Sequence, residues 1–266
     1  MFEPLPPDLA RALQAAGLDG LQLLPDTDST NDIALALAAE GAPDGTAVLA
    51  DSQRAGRGRR GQTWFSPPGA GLYLSVVARF AGAPEPLPLV TLAAGVAAAE
   101  AVTYVSGLPV ELKWPNDLVV GRPWRKLGGL LCESAGLGSR IDAVIIGIGV
   151  NLLVAAYPPA IADRATSIEA ELGRVIDRTP LVIECLRRLR DRLTQVRRED
   201  AAGICAAWRR LARGGLHGAP VRWQDRDGAH RGLARDIDEA GALLVDVDGR
   251  LERLVSGEVI WELTRV

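Results

Sequence analysis

A chain of 266 residues, 48% hydrophobic and 24% charged, has room for one large domain, or one large and one small, around a sizeable core, which excludes disordered and fibrous classes. Its net charge of −3 gives no overall field for non-specific nucleic acid binding, so any anion site must be local. The three cysteines (Cys132, Cys185, Cys205) form no CxxC pair and no metal spacing with His217 and His230, which argues against structural zinc and for a reducing compartment.

The N-terminus carries early acids and prolines without an apolar run, so a secretory signal is not expected and a cytoplasmic location is. Leu9 to Ala16 reads as a short helix, and a second, Ala- and Leu-rich helix runs to about Ala39 behind Ser29 or Thr30 as its cap. Gly45 to Ala50 and Leu72 to Phe80 read as strands, with the polar loop 51–61 after the first and a long apolar helix from Leu87 to Val105 behind the second. Val110 to Trp114 is a strand stopped by Pro115; Asp117 to Val120 continues after it, and Gly121-Arg-Pro123 is a turn. Leu127 to Ser134 and Ile141 to Val150 are strands joined by a glycine-rich turn. Residues 143–162 lack charge and are long enough to span a bilayer, but Gly147, Gly149, Asn151 and Pro158-Pro159 favour a buried strand and loop.

Helices are expected over Pro180 to Arg198 and Ala201 to Ala212, the first with an arginine-rich face. Interleaved Glu184, Asp191, Glu199 and Asp200 favour an ordinary solvated face over a nucleic acid surface. Beyond Gly214-Gly215, short strands at Val221 to Trp223, Arg231 to Asp236, Ala242 to Val247 and Arg250 to Val255 read as a small barrel. The expectation is an α/β (α+β layered) domain over 1–215 with a mixed sheet, followed by a small β-barrel domain over 216–266.

Of the 30 basic residues only Lys113 and Lys126 are lysine, and asparagine occurs only at Asn31, Asn116 and Asn151. Arginine replaces lysine freely on a surface but not where a compact ammonium is needed, so these five positions mark candidates for a site. Gly56-Arg-Gly58-Arg-Arg-Gly61 matches a dinucleotide fingerprint letter for letter. Its context does not fit, since polar residues separate it from the strand and Gln62 to Pro68 cannot open a helix. What remains is a glycine loop with Arg54, Arg57, Arg59 and Arg60 that can fold over an anion, near Trp64. Lys113-Trp-Pro-Asn-Asp117 and Lys126-Leu-Gly-Gly129 put both lysines and Asp117 near strand ends, and Asn151 closes the strand that begins at Ile141. The kit suits an anion-handling ligase or transferase, in which positioning and charge neutralisation carry catalysis.

Ser29-Thr-Asn31, Gln53-Arg-Ala-Gly-Arg-Gly-Arg-Arg-Gly61, Trp64-Phe-Ser-Pro67, Leu72-Tyr-Leu-Ser75, Lys113-Trp-Pro-Asn-Asp-Leu118, Arg125-Lys-Leu-Gly-Gly129 and Gly147-Ile-Gly-Val-Asn151 together resemble biotin protein ligase, in order and at plausible spacing. The resemblance implies a catalytic fold of the class II aminoacyl-tRNA synthetase/biotin ligase type, with the barrel SH3-like. It also implies two-step chemistry: biotin and ATP give biotinyl-5′-AMP and pyrophosphate, and the biotinyl group passes to a lysine of a biotin carboxyl carrier domain of a carboxylase. Carried over by residue, Ser29, Thr30, Asn31 and Gln53 hold the ureido head, and Arg57, Gly58 and Arg59 form a loop that orders over biotin. Lys126 contacts the biotin carboxylate and α-phosphate. Arg59, Arg60, Trp64, Lys113, Asn116 and Asn151 lie on the nucleotide side, with Mg2+ near Asn151. Catalysis is assigned to Lys126, Arg57 and Asp117, the last orienting Lys126 or helping deprotonate the acceptor lysine.

Many members of this family carry an N-terminal operator-binding domain, whereas 28 residues precede Ser29 here, so a ligase without repressor function and without a DNA partner is expected, as monomer or homodimer. Trp124 beside Lys126 departs from the pattern and is expected to touch either the nucleotide pocket or a partner surface. The alternatives are a lipoate or octanoate ligase on the same scaffold and a non-catalytic DNA-regulatory module.

Overall fold

In the computed structural model, residues 6–18, 20–80, 87–137, 140–225 and 228–262 are described. Four elements precede the arginine-glycine loop: α1 (Pro7–Ala15), β1 (Leu21–Leu24), α2 (Thr30–Ala39) and β2 (Ala47–Ala50). After it come β3 (Gly71–Arg79), α3 (Leu87–Ser106), β4 (Glu111–Lys113), β5 (Asp117–Val120), β6 (Arg125–Leu137) and β7 (Arg140–Asn151). The seven strands form one sheet in the order β1-β2-β3-β7-β6-β5-β4. β1 and β2 are parallel and the remaining pairs antiparallel, so the sheet is mixed, as the sequence implies. The glycine-rich turn expected between β6 and β7 falls partly on residues 138 and 139, outside the described residues.

The sheet's middle strands do not alternate polar and apolar residues, because both faces are covered. β3 is buried from Gly71 to Ala78. On one face lie α3 and the later helices, and on the other α2 packs Ala34 and Ala38 against Val48, Val77 and Ile145. Ala93, Ala94, Ala97, Ala98 and Ala101 of α3 are fully buried, and their small side chains let the helix approach the sheet closely. By length and composition α3 alone, among the described residues, passes as a membrane span, but 72% of that stretch is buried within the protein. The 143–162 stretch tested on sequence is the end of β7, a loop and the short α4 (Pro159–Ala162).

Three further helices follow: α5 (Ile168–Leu172), α6 (Arg178–Arg197) and α7 (Ala201–Leu211). Leu181, Cys185, Leu186, Leu189, Leu193 and Val196 of α6 are buried at helical spacing. Its arginines pair with acids on the same helix and elsewhere, including Arg187 with Glu184, Arg192 with Glu100 and Arg197 with Asp44.

The C-terminal strands are β8 (Ala219–Gln224), β9 (Ala229–Ile237), β10 (Leu243–Val247), β11 (Arg250–Leu254) and β12 (Val259–Trp261), the last not foreseen from sequence. They form an antiparallel sheet in the order β11-β10-β9-β8-β12. Among the described residues no ladder joins β11 to β12, so the expected barrel is an open sheet. The free edge strand β11 carries exposed Arg250, Glu252 and Arg253, charges that disfavour further strand pairing, and β12 is three residues long. This sheet is bolted to the first one by tryptophans. Trp114 Nε1 donates to the Gly241 carbonyl at 2.9 Å, and Trp261 Nε1 to that of Gly215 at 2.8 Å. Trp124, whose place was open on sequence grounds, packs against Trp261 with ring centroids 6.3 Å apart.

Candidate active site

A cavity of about 1310 Å3 lies between the two sheets. Its floor is built where α2 begins. Ser29 occupies the N-cap position, but its hydroxyl makes no capping bond. Gln53, from the loop after β2, supplies the cap instead: Oε1 accepts from the Thr30 amide at 2.9 Å and the Thr30 hydroxyl at 3.1 Å. Gln53 Nε2 donates to Ser66 Oγ at 2.8 Å. Ser75 on β3 lies 2.8 Å from Thr30 Oγ1 and 2.6 Å from Asn31 Oδ1. Asn31 Nδ2 donates to Glu133 Oε2 at 2.7 Å and to the Leu131 carbonyl at 3.3 Å. After these bonds the floor still offers the Ser29 hydroxyl, one N–H of Gln53 and a lone pair on Asn31 Oδ1 for a bound molecule.

Two glycines on one face of β7 make room for what packs above them. A Cβ on Gly147 would fall 2.4 Å from Asn31 Oδ1, and one on Gly149 2.6 Å from Trp64 Cε2. Trp64 is fixed by its own amide donating to the Gly56 carbonyl at 2.8 Å, while its indole N–H is buried without a partner among the described residues. An unpaired buried donor of this kind is one that a ligand can satisfy.

The four loop arginines divide. Arg54 turns outward to Asp26 and Asp28, and Arg57 makes a two-pronged pair with Glu133 at 2.8 and 2.7 Å and a third contact with Asp32 at 2.7 Å. Arg59 reaches Asn116 Oδ1 at 3.3 Å; burial lowers its pKa from the ordinary value, while the Asp117 carboxylate opposes the shift. Arg60, in the left-handed region at φ 54°, lines the cavity with Gly58.

Lys113 on β4 and Lys126 on β6 share one acid, Asp117 on β5. Lys126 Nζ is 2.6 Å from Asp117 Oδ1, and Lys113 Nζ 3.6 Å from Oδ2. Lys126 lies 5.5 Å from the Trp64 ring centroid and Lys113 5.6 Å from that of Trp261, so the last C-terminal strand covers the second lysine. Asn116 is clamped to Leu130, its Nδ2 donating to that carbonyl at 2.7 Å. Arg59, Arg60, Lys113 and Lys126 thus face one carboxylate, Asp117, on this side of the cavity, a local cationic surface on a net-negative chain. The opposite wall holds Arg222, Trp223, His230 and Arg231. The Trp223 and His230 rings stack at 5.3 Å, and His230 Nε2 lies 2.8 Å from Asp225.

Arg54 and Trp124, also singled out on sequence, do not line this cavity; every residue given a catalytic or binding role does except Asn151. That side chain is buried and donates from Nδ2 to the Thr166 carbonyl at 2.8 Å. The Thr166 amide in turn donates to the Lys126 carbonyl at 3.0 Å, and the Lys126 amide to that of Arg164 at 2.6 Å. Asn151 therefore braces the strand that carries Lys126. Glu133, Asp32, Ser66 and Trp261 were missed. The signal for Glu133 was one acid in the apolar run Leu130-Leu-Cys-Glu133, while Trp261 gave none because the strand holding it is so short.

Residues 23–151 match the biotin/lipoate A/B protein ligase family, and residues 216–261 the biotin protein ligase C-terminal domain. The chain is 35% identical over 259 residues to the bifunctional ligase/repressor BirA of Escherichia coli, covering 96% of this chain and 79% of that one. It is also 35% identical over 252 residues to the biotin--[acetyl-CoA-carboxylase] ligase of Mycobacterium tuberculosis, covering 92% and 90%. Among solved structures, the biotin protein ligase of Aquifex aeolicus in complex with biotin and ATP superposes with a TM-score of 0.78 at 28% identity, covering 92% of this chain and 100% of the other. The Leishmania major enzyme in complex with biotinyl-5-AMP gives 0.63 at 27% identity, covering 89% and 98%.

Proposed function

The chain belongs to the biotin protein ligase family, and from that premise we propose that it joins biotin to a lysine of a biotin carboxyl carrier domain in two steps at this cavity. A biotin carboxylate oxygen attacks the α-phosphorus of ATP, the bond to the α,β-bridging oxygen breaks, and pyrophosphate leaves. The acceptor amine then attacks the carbonyl carbon of biotinyl-5′-AMP, AMP departs with the bonding pair, and the amine proton is released.

The observation that carries this reading is the contact between Lys126 and Asp117 at 2.6 Å, in the same cavity as the Ser29, Thr30, Asn31 and Gln53 floor. The open capacities of that floor, N–H and O–H donors from Gln53 and Ser29 and an acceptor on Asn31, complement a cyclic urea, which presents one carbonyl and two N–H groups. Lys126 stands where the carboxylate and α-phosphate meet and offsets the charge that builds up there. Both Asp117 oxygens face ammonium groups, which supports orientation of Lys126 over proton abstraction as its role. Arg59, Arg60 and Lys113 are assigned to the phosphates, with Arg57 and Gly58 ordering the loop over biotin to keep water from the mixed anhydride.

Magnesium arrives with ATP as part of the substrate and is held mainly by phosphate and water oxygens. Among the described residues no group of three or more His, Cys, Asp or Glu is placed to hold a metal ion, and the Asn151 amide is committed to Thr166. That bond uses Nδ2 alone, so the proposal of Mg2+ near Asn151 runs through its Oδ1. No nucleic acid role is proposed, since arginines of α6 that might have supplied one are paired with acids. The free thiols of Cys132, Cys185 and Cys205 support a reducing, cytoplasmic setting.

The test is pyrophosphate exchange into ATP, followed by labelling of a carrier domain. Exchange stimulated by biotin and loss of labelling in Lys126→Ala are expected; exchange stimulated by lipoate but not biotin would overturn the reading in favour of the lipoate branch of the family.

A further inference from the structure

The amide of Asn31 has an orientation fixed by its surroundings. An asparagine side chain is nearly symmetric in shape, so its oxygen and nitrogen are distinguished by their partners. Nδ2 faces the Leu131 carbonyl at 3.3 Å and Glu133 Oε2 at 2.7 Å, and an ionised carboxylate, like a carbonyl, accepts without donating. Both N–H groups are thereby consumed. Ser75 and Thr30 are hydroxyls that rotate to suit either orientation, so they do not decide it. Glu133 does: turning the amide over would set Oδ1 against two acceptors. Glu133 is itself held by the two-pronged pair with Arg57, stands on β6, and lies outside the cavity wall.

We propose that Glu133 is a positioning residue that sets the specificity of the head pocket. By taking one N–H of Asn31 while the Leu131 carbonyl takes the other, it leaves Asn31 able only to accept, so the pocket requires a ligand that brings an N–H to Oδ1. A cyclic urea does so. The sulfur ring or alkyl end of other carboxylic acids does not, and would strand a desolvated acceptor on a residue that is 4% exposed. This inference rests on the biotin-ligase reading and adds to it the acid behind the pocket that makes the pocket selective.

The test measures kcat and KM for biotin, ATP and lipoate in pyrophosphate exchange with the full chain. Glu133→Gln gives the amide of Asn31 a partner able to donate or accept, which leaves only the longer 3.3 Å bond to the Leu131 carbonyl to hold its orientation. The expected result is a rise of about tenfold or more in KM for biotin, with kcat and KM for ATP within about threefold, and an equal loss of discrimination against lipoate. Glu133→Asp, which remains acceptor-only, is expected to lie nearer the parent than Glu133→Gln and serves where the glutamine variant does not fold. An unchanged KM in Glu133→Gln, or a glutamine-like profile in Glu133→Asp, overturns the proposal while leaving the ligase reading intact. Absence of biotin-stimulated exchange in the parent chain overturns that reading, and this inference with it.

Discussion

Gly147 and Gly149 lie two residues apart on one face of β7, and alanine at either should disable a different half of the site. At Gly147 the added carbon would be 2.4 Å from Asn31 Oδ1, and at Gly149 2.6 Å from Trp64 Cε2, where ordinary contact begins at 3.4 Å. The neighbours must therefore give by about 1.0 Å and 0.8 Å respectively. A shift of that size in Asn31 breaks its 2.6 Å contact with Ser75 and its 2.7 Å bond to Glu133. At about 1 kcal/mol for each bond, some ~2 kcal/mol is lost from folding stability, and the displaced Oδ1 gives up its proposed bond to biotin, worth about 1.4 kcal/mol, or about tenfold in affinity. Moving Trp64 leaves the Asn31 bonds in place but displaces the indole from Lys126, with overpacking of about 1–3 kcal/mol. Pyrophosphate exchange, run with each substrate varied in turn, reads the two apart. Gly147→Ala raises KM for biotin and leaves KM for ATP within about threefold; Gly149→Ala raises KM for ATP about tenfold and leaves biotin near the parent. Thermal melting should show each variant folded with Tm lowered by a few degrees. Both variants raising the same KM would refute the division of the cavity into a head pocket under Asn31 and a nucleotide side over Trp64.

Three further outcomes follow from the geometry. Lys126→Arg keeps the charge but not the compact ammonium beside Asp117, and single-turnover adenylation should fall by about 100-fold or more; near-normal turnover would remove the assigned role. Asn151→Ala deletes the buried bond to Thr166, so denaturant unfolding should show a loss of about 1–2 kcal/mol, with kcat reduced and KM for biotin little changed, since the brace acts on the Lys126 strand. The Glu184 carboxyl is held below its usual value near 4.5, first by the hydrogen bond from Arg187. Its contribution to stability is complete above that value and is lost as pH falls through the lower, folded-state pKa. Glu184→Gln should lower Tm near neutrality and leave it little changed at low pH, where the parent's carboxyl is already protonated, so the acid limb flattens.

The sequence carried much of the fold because its long elements are strongly patterned: α3 is apolar throughout, α6 repeats its leucines at helical spacing, and β7 is β-branched between glycines. The four-residue β1 and three-residue β12 offer too few positions for a period to declare itself. The open C-terminal sheet read as a barrel because turn spacing reports strand number, while closure depends on whether the two edge strands meet. Scarcity of lysine and asparagine led to the cavity in four cases of five. It failed to separate Asn151, which sits behind the wall, because a buried brace and a ligand contact both resist replacement. Glu133 was passed over since acids are common in this chain, and what distinguishes it is its partners, Arg57 and Asn31, 76 and 102 residues away. Pairings at such separations lie in the tertiary structure and leave no local pattern.

Trp261 rests against Lys113, which shares Asp117 with Lys126, so the cationic half of the cavity is finished by the last described strand of the polypeptide. During synthesis, the seven-stranded sheet is complete long before β12 emerges. A nascent or truncated chain ending before Trp261 would own every group of the biotin floor yet lack the cover over Lys113. Under the proposed assignment of Lys113 to the phosphates, such a chain is expected to keep its affinity for biotin and to bind ATP more weakly. For anyone engineering this scaffold, changes at Trp261 reach the cavity through Lys113, although the two lie 148 residues apart in sequence.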